Sequence, residues 1–242
     1  MKKLILLILI LAAFTKMFAC KCVKESIAQE YLEADVVALI TIEKTYGDRD
    51  SHIMQGGRLY SADVRVEKIY KGNEFKTLHA FGTTTFASSG ACEILLEKGK
   101  KYLVLLSKNK DGEYYVSSCS TMPQISDDKY VKEYDNIFKI LDKNKSKLIF
   151  PKFAQYEDLS EDYNYMTRQN TNDFLKLNAR QLYGKVGIYK VKINDKGNIS
   201  TITPIEKIGI KEKQIQELMK KNLRIYDGFD TLAGEYFILL EL

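Results

Sequence analysis

Four cysteines are the residues of this 242-residue chain whose type and spacing could do chemistry: Cys20, Cys22, Cys92 and Cys119. A bond between Cys20 and Cys22 would close a strained ring, so a disulfide framework would join these two residues to the later two in one of two pairings. Each closed loop would hold roughly 70 to 100 residues and would stabilise the fold by about 4 kcal/mol in the chain-entropy model.

A zinc site and a nucleophilic thiol are the alternative uses of these cysteines. Structural zinc sites favour Cys-x₂₋₄-Cys spacing with histidines nearby, whereas a single residue separates Cys20 from Cys22 and the only histidines are His52 and His79. The chain also contains no nucleophile elbow, P-loop, zinc-protease helix motif or dinucleotide-binding turn. We therefore expect no catalytic residue, no resident metal and no cofactor, and a protein that binds rather than an enzyme.

The first 19 residues have the layout of an export signal. Lys2 and Lys3 precede the apolar run Leu4–Phe14, and Thr15–Ala19 leads to Cys20. A helix over that apolar run would rise roughly 16 Å, about half the hydrocarbon thickness of a bilayer, and no later stretch approaches 18 apolar residues. The sequence predicts a signal peptide at residues 1–19 and a mature chain that begins at Cys20.

Two peptidases could cut before Cys20, and they give different products. An ordinary signal peptidase leaves a free α-amine on Cys20, while the lipoprotein pathway acylates that amine and alkylates the sulfur. The expected location is therefore secreted or periplasmic in the cell envelope, with a lipid-anchored form as the alternative. Membrane contact is expected only if Cys20 is lipidated. Either compartment is oxidising, which favours disulfides.

Composition excludes several classes of protein. Hydrophobic residues make up 45% and charged residues 29%, which is typical of a globular chain and not of a disordered or fibrous one. The formal charge is +5, but three of the 37 basic residues lie in residues 1–19, so 34 remain against 32 acidic ones. Such a small excess argues against a nucleic-acid partner.

The N-terminal part of the mature chain is predicted to be mostly β. Ser26 caps a short helix candidate over Val23–Ala34. Alternating or apolar runs predict five strands, and the polar segment Tyr46–Gly57 is predicted to be a loop between the first two. The predicted strands are Asp35–Glu43, Leu59–Tyr70, Thr77–Gly82, Lys101–Ser107 and Tyr114–Ser118. Short strands with disulfides indicate a small five-stranded barrel over residues 20–123.

After Pro123 the pattern changes to helices and a hairpin. Residues 124–171 are predicted to form a linker, with an amphipathic helix over Asp127–Lys143 followed by an irregular stretch. Residues 172–242 are predicted to form an α+β module in the order β-β-α-β, after an opening helix over Thr171–Tyr183. Its elements are Lys185–Ile193, Ile199–Ile208, Lys211–Leu223 and Tyr236–Leu242.

The N-terminal half resembles the tissue inhibitors of metalloproteinases and the wider netrin-like modules. The resemblance rests on Cys20-Lys21-Cys22 at the mature N terminus, on Cys92 and Cys119 downstream, and on softer strand motifs. Those motifs are Ala34-Asp35-Val36-Val37, Val66–Gly72, Gly99–Val104 and Ser118-Cys119-Ser120. The resemblance to this family implies an OB-type barrel held by two disulfides, Cys20–Cys92 and Cys22–Cys119.

The same resemblance implies a function for the first two mature residues. In these inhibitors the α-amine and carbonyl of the first cysteine bind the catalytic zinc of the target protease, and the next residue enters the adjacent pocket. These roles would fall on Cys20 and Lys21. Lys21 departs from the family pattern, where that residue is usually small and uncharged; Lys24 replaces a common proline, and a third disulfide of the inhibitory domain has no counterpart. The expected partner is a protein or a peptide, and the resemblance implies a zinc protease in particular.

Residues 172–242 more weakly resemble the C-terminal domain of TonB-type proteins. The shared pattern is a strand beginning at Gly184-Lys185-Val186, the turn Asp195-Lys196-Gly197, a second strand ending at Ile208-Gly209, then a helix and a strand. Such domains bind extended peptides at a sheet edge. This resemblance implies a bacterial envelope protein. It supports an alternative function for the whole chain, an envelope lipoprotein with a structural or peptide-binding role and no inhibitory activity.

Overall fold

The computed structural model of the chain describes residues 22, 25–51, 53, 57–85, 92–148, 152–164, 169–226 and 233–242. A short helix, α1 (Ile27–Glu33), opens this part of the chain, with the Ser26 hydroxyl accepting a hydrogen bond from the backbone N–H of Gln29. A five-stranded sheet follows in the order β4-β1-β2-β3-β5. Its strands are β1 (Val36–Asp50), β2 (Arg58–Lys71), β3 (Thr77–Phe81), β4 (Lys101–Leu106) and β5 (Tyr115–Val116).

This sheet is not closed into a barrel, and the prediction of an OB-type barrel was wrong on that point. The strand order places β4 and β5 at opposite edges, and closure would require these two strands to pair. β5 holds only two residues and pairs in parallel with β3, at His79–Tyr115 and Ala80–Val116. Between β4 and β5 lies a single isolated bridge from Lys108 to Tyr114, at the ends of a tight turn. The outer edge of β4 instead pairs with residues 123–125, through the bridge between Tyr102 and Gln124 and a hydrogen bond from the N–H of Leu103 to the carbonyl oxygen of Pro123.

The hairpin between β1 and β2 is longer than predicted. β1 runs to Asp50, so the segment expected to be a loop from Tyr46 onward begins as strand and pairs with β2 as far as Asp50–Arg58. The outer half of β1 is exposed and polar, which hides its strand character from a hydrophobicity pattern. It is held instead by cross-strand polar contacts, among them the Tyr46 hydroxyl donating to Asp63 Oδ1 at 2.8 Å.

Gly72 ends this hairpin at a place where no side chain fits. Its φ is +81°, and a Cβ atom there would lie 2.1 Å from the backbone oxygen of Asp35. The glycine at this position therefore has a steric reason. The close approach lets the end of β2 pack against the start of β1.

The second helix, α2 (Asp128–Asn144), joins the two halves of the protein. It is capped by the Asp127 carboxylate, which accepts from the backbone N–H of Lys129 at 2.9 Å. Its buried face, Ile137, Phe138 and Leu141, belongs to one hydrophobic cluster with α1, with one face of the N-terminal sheet and with one face of the C-terminal sheet. The sheet residues in this cluster include Val37, Leu39, Leu103, Val186, Ile188, Phe237 and Leu239. Among the described residues the two halves therefore share a core.

The C-terminal half is an α+β arrangement with more strands than predicted. Its main sheet joins β10 (Ile199–Glu206), β9 (Val186–Ile193) and β12 (Gly234–Glu241) in that order. The stretch after α2 that was expected to be irregular contains β6 (Gln155–Asp158), which pairs antiparallel with β11 (Leu223–Tyr226). The elements after α2 are a 3₁₀ turn (Lys145–Lys147), β6 (Gln155–Asp158), β7 (Asp162–Asn164), β8 (Gln169–Thr171), α3 (Asp173–Leu182, with an extended break at Asn178), β9 (Val186–Ile193), β10 (Ile199–Glu206), α4 (Glu212–Asn222), β11 (Leu223–Tyr226) and β12 (Gly234–Glu241).

Phe138 is the aromatic centre of the shared core, and its removal is expected to destabilise both halves. Its ring stacks on Tyr31 of α1 with centroids 4.5 Å apart and meets the edge of Tyr70 of β2 at 4.9 Å. Phe138→Ala is expected to lower the free energy of unfolding by about 3 to 5 kcal/mol, the cost of a large core cavity. Lys139→Ala, an exposed neighbour on the same helix, is the control and should change it by less than about 0.5 kcal/mol.

The measurement is denaturant unfolding followed by far-UV circular dichroism and tyrosine fluorescence. A shared core predicts that both probes shift together in the Phe138 variant. A shift confined to one of two separate transitions would show that the halves unfold independently, against this description.

Candidate functional site

The disulfide between Cys22 and Cys119 fixes the start of the described chain to the end of the N-terminal module. Their Cα atoms lie 5.2 Å apart and they are 97 residues apart in sequence. This is the pair that the family resemblance implied, and it is confirmed. The disulfide fixes the position of Cys22, which is two residues after Cys20, the predicted first residue of the mature chain.

A short loop, Ser117–Ser120, holds Cys119 by hydrogen bonds within itself. The backbone N–H of Ser120 donates to the carbonyl oxygen of Ser117, and the N–H of Ser117 donates to the Ser120 hydroxyl, each at 3.0 Å. The N–H of Cys119 donates to the Ser117 hydroxyl at 3.1 Å. Serine side chains thus satisfy the backbone of a tight loop that has no strand partner of its own. The sequence motif Ser118-Cys119-Ser120 signalled this segment, but not this role of its hydroxyls.

Cys92 reaches the same loop from the other side. The backbone N–H of Ser118 donates to the carbonyl oxygen of Cys92 at 3.1 Å, and Cys92 is itself disulfide-bonded. Its predicted partner, Cys20, and the neighbouring Lys21 lie outside the described residues. The pair Cys20–Cys92 therefore stays a prediction, while the structure brings Cys22, Cys92 and Cys119 together at one loop.

The segment after Cys92 is anchored by Tyr60, a buried tyrosine in the predicted strand Leu59–Tyr70. The Tyr60 hydroxyl donates to the carbonyl oxygen of Ile94 and accepts from the backbone N–H of Leu96, both at 2.8 Å. The Tyr60 side chain is fully buried, and burial raises its pKa to about 12, so it stays a neutral donor. The N–H of Ile94 also donates to the carbonyl of Phe81 in β3. These bonds position the chain that follows Cys92 against the sheet.

Helix α1 is tied to the same place and to the C-terminal half. The Thr121 hydroxyl donates to Glu30 Oε1 at 2.6 Å, which links the helix to the chain just after Cys119. The side-chain oxygen of Gln29 accepts from the backbone N–H of Phe153 at 2.8 Å. The N-terminal segment is therefore braced from both halves of the molecule.

A cleft of about 570 Å³ lies beside the disulfide loop. Its walls come from the N-terminal segment, the loop, the segment after Cys92, helix α2 and the C-terminal strands. The lining residues are Glu25, Ile27, Ile94, Ser118, Ser120, Thr121, Met122, Pro123, Tyr134, Gln155 and Glu241. The surface beside the Ser117–Ser120 loop is thus concave and lies at the junction of the two halves.

A chain of polar side chains around His79 anchors the long hairpin. His79 Nδ1 lies 3.1 Å from the Ser61 hydroxyl and 3.2 Å from an Arg49 nitrogen, and His79 Nε2 lies 3.5 Å from Glu113 Oε1. The Tyr115 hydroxyl donates to the other oxygen of Glu113 at 2.6 Å; this bond is the largest cause of the lowered pKa of Glu113. Ser61 is only 5% exposed and its hydroxyl accepts from Arg49, so the set braces the strands and presents no accessible nucleophile.

No group of three or more histidine, cysteine, aspartate or glutamate side chains is placed to hold a metal ion in the part of the chain that the structure describes. The other histidine, His52, lies outside it. Within the same part, no helix is long and apolar enough to cross a membrane.

The five-stranded sheet, the Cys22–Cys119 pair and Cys92 all lie in one segment of the chain that matches a known protein family. Residues 18–137 match the family model of the tissue inhibitor of metalloproteinase. The N-terminal module is TIMP-like. The match spans a little under half of the chain and ends within helix α2, so it covers the sheet, the described disulfide and the loop around Cys119. No curated protein matches the chain.

At the level of the family, the match indicates that residues 18–137 resemble a metalloproteinase-inhibitor module, and proteins such as metalloproteases are the kind of partner that the family suggests. The disulfide is typical of proteins outside the reducing cytosol. The resemblance of residues 172–242 to TonB-type domains stays a prediction.

Proposed function

We propose that this chain is an exported inhibitor of a zinc protease that acts through its mature N terminus at Cys20. The observation that carries the proposal is the convergence of Cys22, Cys92 and Cys119 at the Ser117–Ser120 loop, within a module that matches the TIMP family model. A braced anchor two residues after the cleavage point is what a rigid metal-binding N terminus requires, because a preorganised group binds without a large loss of entropy.

The chemistry assigned to Cys20 is that of a bidentate zinc ligand. A neutral α-amine and the carbonyl oxygen of the same residue would displace the water bound to the zinc of the protease. In such enzymes this water occupies the open coordination position of the zinc and is the nucleophile. Because peptide hydrolysis needs that water, its displacement would stop the reaction. The zinc belongs to the target.

Lys21 is assigned to the pocket beside the zinc, and its charge points to the kind of target. A lysine is costly to bury without an opposite charge. The proposed target is therefore a protease whose pocket next to the zinc carries a carboxylate or opens to water. Lys21 differs from the small, uncharged residue of the family pattern. The selectivity of the inhibitor for its target protease would therefore depend on position 21.

The test is the pH dependence of inhibition by the mature chain against a panel of zinc proteases. An α-amine titrates near pH 7.7–8.0, so the neutral ligand becomes scarce below that range and affinity should fall about tenfold per pH unit. A small synthetic zinc ligand without an amine, measured on the same protease, corrects for titration of the enzyme. Inhibition with the same pH profile as this control, or no inhibition of any protease, would contradict the proposal.

A further inference from the structure

A second cleft adjoins the one beside the disulfide loop, and Glu241 lines both. The second cleft has a volume of about 230 Å³ and lies between helix α2 and the chain that enters β9. It is lined by Glu133, Ile137, Tyr183, Gly184, Lys185, Val186, Glu241 and Leu242. Together the two clefts form a groove, here called the junction groove, that leads from the Ser117–Ser120 loop across the boundary between the two halves.

Two carboxylates, those of Glu133 and Glu241, line the second cleft. The pKa of Glu241 is raised, chiefly because the surroundings reduce hydration of its carboxylate and also because the negative charge of Glu133 lies nearby. Neither carboxylate is in an ion pair with another described residue. Among the described residues that line this cleft, Lys185 is the only basic one. A second cation between Glu133 and Glu241 would remove the repulsion that the free protein carries.

Aromatic and apolar surface completes the groove. Tyr183 also lines the second cleft and is 66% exposed, so its ring is accessible to a ligand in the groove. A tyrosine face beside two carboxylates suits a guanidinium or ammonium group, which gains from the ring as well as from the charges. In the first cleft Ile27, Ile94 and Met122 offer apolar contacts within reach of the same groove.

We infer that the junction groove binds an extended basic segment of a protein partner. An arginine or lysine side chain of that segment enters between Glu133, Glu241 and Tyr183, and its apolar neighbours lie in the cleft beside the disulfide loop. The charge complementarity selects a basic segment over an acidic or neutral one. The site uses no atom of Cys20, so it does not depend on the zinc-binding mechanism.

The test is fluorescence anisotropy with the mature chain and two labelled octapeptides. One alternates alanine and arginine, and the other carries glutamine at each arginine position. The arginine peptide is expected to bind at least about tenfold more tightly, and less so at high salt, because its contacts are charged. Glu133→Gln/Glu241→Gln should reduce its affinity to that of the glutamine peptide. Glu217→Gln removes one carboxylate from an exposed site on α4 outside the groove; it is the control for the single variant Glu133→Gln and should leave the affinity unchanged.

Two single variants keep the test decisive if the double variant folds poorly. Glu133→Gln changes one half-buried side chain on helix α2 to a residue of the same shape, and Tyr183→Ala truncates a residue that is 66% exposed. Each variant should bind the arginine peptide severalfold more weakly than the unmodified chain and should keep an unchanged circular dichroism spectrum. Equal binding of the two peptides, or equal weakening by Glu217→Gln and by the groove variants, would overturn the inference. Both readouts omit the protease, so they separate this site from the proposed function.

Discussion

One alanine added before Cys20 is expected to weaken inhibition of the target protease about a thousandfold. The extension converts the α-amine of Cys20 into an amide nitrogen, which cannot coordinate zinc, and moves the new amine one residue away from the braced anchor at Cys22. Central contacts in protein interfaces contribute about 4 kcal/mol or more, and a loss of that size corresponds to three orders of magnitude in the inhibition constant.

The matched control carries the same alanine after Leu242. It has the same mass and composition, and it should inhibit like the mature chain. Both proteins should unfold at the same denaturant concentration, since neither change touches the core. Equal inhibition by the two extended chains would refute zinc binding through the N terminus, whatever the affinity of the unmodified protein.

Loss of the Cys22–Cys119 bond is expected to lower the free energy of unfolding by about 4 to 5 kcal/mol. The bond joins residues that are 97 apart, and cross-linking a loop of that length removes much of the entropy of the unfolded chain. The double variant Cys22→Ala/Cys119→Ala avoids leaving a single thiol, and denaturant unfolding gives the difference. Inhibition should also weaken, because the N-terminal segment loses its attachment to the Ser117–Ser120 loop.

Ser118→Ala is the control for that variant. Its side chain is exposed, and the bond that Ser118 makes to Cys92 comes from the backbone, so the variant should change stability by less than about 0.5 kcal/mol. A cost below about 1 kcal/mol for the double alanine variant would mean that the disulfide does not hold the module together.

Local patterns predicted most of the elements, because each strong signal lies within a few residues. The buried halves of β1 and β2, the strand Lys101–Leu106 and the amphipathic helix α2 all lie within a few residues of their predicted limits. The strand pair β6–β11 was missed because both strands are short, and the register of two short strands far apart in sequence has no local signature.

The barrel prediction failed for a related reason. Five short strands are compatible with a closed barrel or an open sheet, and the difference lies in whether the chain after Leu106 continues along β4 or turns away. The residue types of that turn, with Asp111-Gly112 at its tip, fit both outcomes. The exposed outer half of the hairpin was missed because polar strand residues resemble a loop when only hydrophobicity is read.

The sequence predicted the cysteines of the candidate site but not the contacts that hold them in place. Cysteine spacing located Cys22 and Cys119, and the family resemblance selected their pairing. The braces could not be foreseen, because Tyr60 with Ile94, Glu30 with Thr121 and the cleft shared by both halves depend on tertiary contacts between residues far apart in sequence. The same holds for the junction groove, whose carboxylates come from helix α2 and the last strand.

The intact mass of the purified mature protein shows whether Cys20 has a free α-amine and a disulfide-bonded sulfur. Non-reducing peptide mapping of the same sample identifies the pairs. We expect the mass of Cys20–Leu242 less the four hydrogens lost in two disulfides, with Cys20 linked to Cys92 and Cys22 to Cys119. A diacylglycerol-sized increment on Cys20, with partition into detergent, would contradict this expectation. Both the amine and the sulfur would then serve a lipid anchor, which is the lipoprotein alternative.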